Sequence, residues 1–209
     1  VWREGPSFPH SSIPSLSRIL SYFCVMGKTF YRGDLPHYLP NDRPYFLTFR
    51  LAGSEPRDEE LLQLLLLKQQ FLEYDRMLDL LRSGPHHLRN PRIADLVAEA
   101  IHYRDGKDYE LHAFTIMSNH VHMVVTLAER KVLYDVLREL KSWTAKESNT
   151  VLGLHGDFWL HEGYDHVVRK GRFGYAIMYV LNNPVKAGIV NHWRDHRWTY
   201  LNPNLPGFE

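Results

Sequence analysis

The sequence predicts an α+β fold: a ferredoxin-like antiparallel sheet of about four to five strands with helices packed on it. Three observations predict it. Residues 45–51 alternate in the manner of a strand, and in residues 118–127 the period of two gathers Val121, Met123, Val125 and Leu127 on one face. Residues 91–103, 132–148 and 172–183 carry apolar side chains at helical spacing. The elements follow in the order strand, helices, hairpin, helix, strand, helix, which is expected to place the helices on one face of the sheet.

The bulk properties agree with a folded domain. The chain has 209 residues, 44% hydrophobic and 23% charged, enough to bury a full core. Its formal net charge is +1, so a polyanion would have to be met by a local patch. A single cysteine, Cys24, excludes an internal disulfide and a thiolate metal cluster. No apolar run is long enough to span a bilayer.

The elements can be justified in order. Residues 1–25, with Pro6, Pro9, Pro14 and several serines, read as a weakly ordered extension, and 26–209 as a single domain. Met26-Gly27-Lys28 is a candidate start of translation. Tyr45 to Leu51 is the first strand, ended by Gly53 and Pro56. Arg57 to Arg82 is a Leu-rich helix with Asp58, Glu59 and Glu60 in its first turn, where the helix dipole favours acids. Ser83-Gly84-Pro85 breaks it. Pro91 opens a second helix reaching Tyr103, and Asp105-Gly106 turns the chain. Tyr109 to Met117 and Ser118 to Leu127 form a hairpin through the turn-like Ser118-Asn119. Val132 to Ser148 is a helix with Leu133, Val136, Leu137, Leu140 and Thr144 as its inner stripe. Phe158 to Val168 is extended, the fourth strand. A last helix runs from Arg172 to about Asn183, where Pro184 ends or kinks it. His192 to Tyr200 reads as an irregular aromatic and basic cover.

Within this frame two pairs of residues carry chemistry. His120 and His122 project together from the strand face away from the core. In a chain of 13 histidines such a pair also arises as polar filler. On the last helix Phe173, Ala176, Ile177, Val180, Leu181 and Pro184 share the core arc, whereas Tyr179 and Asn183, four apart, stack outside it. Two imidazoles and an amide oxygen are three neutral ligands for a divalent cation, Mn by softness or Mg by abundance. Such an ion polarises a phosphodiester for attack by a tyrosine. Tyr164 and Tyr175 compete as nucleophile, but the i+4 neighbour of Tyr175 is a tyrosine and not a ligand. Asp165 or His166 is a candidate auxiliary contact. Arg169, Lys170 and Arg172, before the last helix, and Lys186 after its tyrosine, are candidate phosphate contacts. Trp193, Trp198 and Tyr200 serve either base stacking or cover.

Four stretches together carry a resemblance: His120-Val121-His122; Phe158-Trp159; Tyr164 through Arg169; and Tyr179 through Asn183-Pro184-Val185-Lys186-Ala187-Gly188. From about Tyr45 to Trp198 the chain resembles the REP-associated tyrosine transposases, relatives of the single-tyrosine HUH transposases. The resemblance implies His120, His122 and Asn183 as metal ligands and Tyr179 as nucleophile. It also implies cleavage and rejoining of single-stranded, hairpin-forming DNA through a 5′-phosphotyrosine, leaving a free 3′-OH. It further implies a divalent cation, palindromic-repeat DNA as partner, no membrane, a monomer or homodimer, and a place in the cytoplasm at the nucleoid. A different class, a non-cleaving regulator that binds DNA hairpins with the same fold, stays open, as does a hydrolytic nuclease using metal-bound water. The first 25 residues and the Leu-rich helix with Ser83 to Asn90 after it depart from the family's pattern.

Overall fold

Strand β3, His120–Leu127, lies at the centre of a five-stranded sheet and is buried nearly throughout. The computed structural model describes residues 42–54, 84–161 and 163–208. The expected extension over residues 1–25 and the Leu-rich helix over 57–82 lie outside the described residues. The rest falls within one compact unit, residues 40–209. Its elements in chain order are β1 (Pro44–Arg50), α1 (Pro91–Arg104), β2 (Tyr109–Ile116), β3, α2 (Leu133–Leu152), β4 (Tyr164–Val167), α3 (Phe173–Lys186) and β5 (Thr199–Leu201). The sheet order is β4-β1-β3-β2-β5 and every pairing is antiparallel. The first four strands and their helices form the β-α-β-β-α-β arrangement of the ferredoxin-like fold, to which β5 adds an edge.

Local signals set the element ends. Asn90 caps α1, its side chain accepting from the Arg92 N–H at 3.0 Å, with Pro91 in the first turn. Gly153, at φ 64°, ends α2 in the left-handed conformation that glycine adopts without strain. Leu133, Val136, Leu140 and Thr144 are the buried stripe of α2, as their spacing requires, while Leu137 is half-buried.

The helices lie on both faces, not on one. Helix α1 covers the face of Tyr109 and Phe114. The Tyr109 hydroxyl donates to the Ile101 carbonyl at 2.8 Å, and Phe114 meets His102 edge-on. Helix α2 reaches the same side through Trp159, which packs edge-on against Phe49 and donates its indole N–H to Thr144 Oγ1 at 2.8 Å. Helix α3 covers the opposite face, where Ile177, Val180 and Leu181 pack with Phe46, Ala113, Val124 and Val168. A period-two pattern separates two faces but does not say what covers the second one.

Three further expectations change. The fourth strand is only four residues long. Ahead of it Trp159 makes an isolated bridge to Leu51. The tail is not wholly irregular: Trp193–Asp195 form a 3-10 turn and β5 pairs with β2. Helix α3 continues through Pro184 to Lys186. Proline lacks the N–H that would bond Val180 O, yet it sits in the last turn. There Ala187 N–H bonds Asn183 O and Ile189 N–H bonds Pro184 O, both at 2.9 Å.

Candidate active site

The register of β1 on β3 builds the site. Thr48 lies opposite His122 and Arg50 opposite His120, so all four share the face beneath α3. Both histidines are fully buried, which corrects the expectation that they stand on the face away from the core. Helix α3 turned that face into a second interior. The two imidazoles meet edge-on with ring centroids 4.6 Å apart.

Each imidazole is held at Nδ1. His122 Nδ1 is 2.7 Å from Thr48 Oγ1, and His120 Nδ1 is 2.7 Å from Asn119 Oδ1. Asn119 is itself fixed, because its carbonyl accepts from the Leu51 N–H at 2.8 Å. The Nε2 atom of each ring is buried as well.

Helix α3 brings Tyr179 to the pair within one chain. Its ring is 5.9 Å from His122 and 5.6 Å from Phe46, edge-on to both. Tyr179 is half-buried against the rim of the core, not clear of it as its helical direction suggested. One turn later Asn183 is 1% exposed, with Oδ1 buried. The Lys186 ammonium lies 4.3 Å from the centroid of the Tyr179 ring, a cation–π contact that keeps positive charge beside the phenol.

The other basic candidates lie at the far end of the helix. Arg169, Lys170 and Arg172 are exposed on the turn that enters α3, and Arg172 stacks over Tyr175, 5.0 Å from its ring centroid. Seven residues of helix, about 10 Å at 1.5 Å per residue, separate Arg172 from Tyr179. Tyr175 is 69% exposed. Asp165 and His166 are exposed on β4, where His166 lies opposite Phe46. Trp198 donates its indole N–H to Asp95 and Tyr200 stacks on Phe114, so both serve packing.

Two residues that hold the imidazoles escaped the sequence reading. Asn119 reads from sequence as a turn residue, although its place directly before the first histidine is a local signal. Thr48 is 74 positions from His122, and only strand register joins them.

The donor set suits a borderline divalent cation: two neutral imidazole nitrogens and one amide oxygen, all on buried side chains. Among the described residues no three His, Cys, Asp or Glu side chains converge as a metal site.

Comparison with known proteins covers the part of the site that carries the two histidines. Residues 87–165 match the family model described as "Transposase IS200 like". No curated protein matches. Among solved structures, a REP-associated tyrosine transposase bound to a REP hairpin aligns at 18% identity over 79% of this chain and 81% of its own, with a TM-score of 0.48. A candidate transposase from Deinococcus radiodurans aligns at 15% identity over 67% of this chain and 89% of its own, with a TM-score of 0.35. The stretch similar to IS200-like transposases, residues 87–165, holds α1, the β2–β3 hairpin with its two histidines, and α2.

Proposed function

We propose that the protein is a metal-dependent transposase that cuts and rejoins single-stranded, hairpin-forming DNA through a 5′-phosphotyrosine. The observation that carries this reading is the approach of the Tyr179 ring to within 5.9 Å of His122 in the same chain, with Asn183 one turn further along α3. A binding module has no need for a phenol beside two buried imidazoles.

His120, His122 and Asn183 would hold the ion through two ring nitrogens and an amide oxygen. A divalent cation, Mg or Mn, supplies Lewis acidity toward a phosphodiester oxygen when bound there. Tyr179 Oη attacks the phosphorus. The O–P bond to tyrosine forms as the P–O3′ bond breaks, and the phenol proton is balanced by the one gained on the released 3′-OH. Attack by a 3′-OH on the phosphotyrosine reverses the step and joins strands. Lys186 keeps a cation at the phenol ring as negative charge develops. Arg169, Lys170 and Arg172 would take backbone phosphates at the entry to α3. The substrate class in this reading is DNA of palindromic repeats folded as hairpins.

Incubation with end-labelled hairpin DNA and Mn tests it. The expected product is a covalent protein–DNA adduct that is absent from Tyr179→Phe. An adduct that survives this change assigns the nucleophile wrongly. Tight hairpin binding with no adduct at any metal would favour a non-cleaving regulator. Cutting by Tyr179→Phe without a linked product would favour hydrolysis by metal-bound water.

A further inference from the structure

We infer that Asn119 and Thr48 are positioning residues that hold His120 and His122 as Nδ1–H tautomers and so leave the lone pair of each ring on its buried Nε2. The inference rests on the metal reading above for its purpose, but its geometry stands alone. A neutral imidazole carries its proton on one nitrogen and a lone pair on the other. Asn119 Oδ1 is an acceptor only, so at 2.7 Å it requires a proton on His120 Nδ1. The lone pair of His120 is then on Nε2. Thr48 Oγ1, also at 2.7 Å, either accepts from His122 Nδ1 or donates to it. Only the first arrangement leaves a lone pair on His122 Nε2, and it is the one assigned here.

The two supports are built into the fold. Thr48 is 7% exposed and Asn119 1% exposed, so water does not substitute for either. Thr48 is carried by β1, outside the family-matched stretch, and reaches His122 only through the strand register. Asn119 is tied by its own carbonyl to Leu51, immediately after β1. One strand therefore orients both rings, directly through Thr48 and through the anchored turn in the case of Asn119. Metal-bound histidines generally need such an outer partner, and losing it weakens metal affinity by about 10–100-fold.

The test uses the full chain labelled with 15N-histidine, first without metal. Two-bond proton–nitrogen spectra are expected to show His120 and His122 as Nδ1–H. Thr48→Val removes the acceptor and should move His122 wholly or partly to Nε2–H, while Thr48→Ser keeps the wild-type pattern. Asn119→Ala should do the same to His120, with Asn119→Asp retaining an acceptor oxygen. In calorimetric titration with Mn, Thr48→Val and Asn119→Ala should each bind about 10–100-fold more weakly than wild type, with Thr48→Ser restored. Nε2–H on either wild-type ring, or spectra and affinity unmoved by both disruptive variants, would overturn the assignment. A wild-type chain with the expected tautomers but no Mn binding would instead overturn the metal reading, while the variant spectra still decide the positioning role.

Discussion

The two faces of the sheet are buried alike and built differently. Under α1 and α2 the interior is Tyr45, Leu47, Phe49, Val121, Met123 and Val125, all at 2% exposure or less. Under α3 it is Phe46 and Val124 together with Thr48, Thr115, His120 and His122, with exposures from 0 to 7%. Burying an apolar face releases water at little cost, whereas each buried polar group must recover its hydrogen bonds. The second face does so through side-chain pairs such as Thr48–His122, Asn119–His120 and Thr115–Thr199. Burial therefore does not separate scaffold from site here. Chemistry on a buried face does.

Four experiments break or sharpen that contrast. The largest effect belongs to Tyr179→Phe, which keeps the ring packed on Phe46 and removes only the hydroxyl. DNA cleavage should fall by roughly 10³-fold or more, as for other nucleophile deletions, with an unchanged far-ultraviolet spectrum. Met123→Ala, on the apolar face, should do the reverse. Urea unfolding should show a loss of about 2–5 kcal/mol from the vacated core volume, and the protein that remains folded should still form the DNA adduct.

The third test is acid. His112 bonds Thr126 Oγ1 at 2.7 Å and lies edge-on to Phe173 of α3. His196 is bonded to Thr199 Oγ1 at 2.9 Å. Burial holds both imidazoles below the usual histidine pKa, in His112 against a weaker opposing pull from Glu110. The unfolded chain then binds more protons between the folded and unfolded values, so stability falls as pH drops below about 6.5. Urea midpoints should be lower at pH 5.5 than at pH 7.5, and His112→Gln should shrink the difference. The smallest effect is Lys186→Met. The cation–π contact with Tyr179 is worth about 0.5–1 kcal/mol, so the melting temperature should fall by about 1–4 °C and single-turnover cleavage should slow by roughly 2–5-fold.

Much of this was legible in the chain. The strand of His120 and His122, the i, i+4 pairing of Tyr179 with Asn183 and the opening of α1 at Pro91 are local matters. A few neighbouring residues and the backbone period decide them. The β-α-β-β-α-β order follows from the same signals, since each element is recognised within its own stretch. Reading Tyr179 as lying clear of the core failed in part, because helical direction alone does not show how far a neighbouring sheet reaches beneath the ring.

What neighbours in sequence cannot encode is which strand lies beside which, and what rests on top. Thr48 across from His122, α3 as the lid over a polar sheet face, and β5 as the added edge all join residues far apart along the chain. Register and layer stacking arise when whole elements bury their faces together. A residue such as Thr48 acquires its role from the strand it meets, while the alternation around it would read the same against any partner.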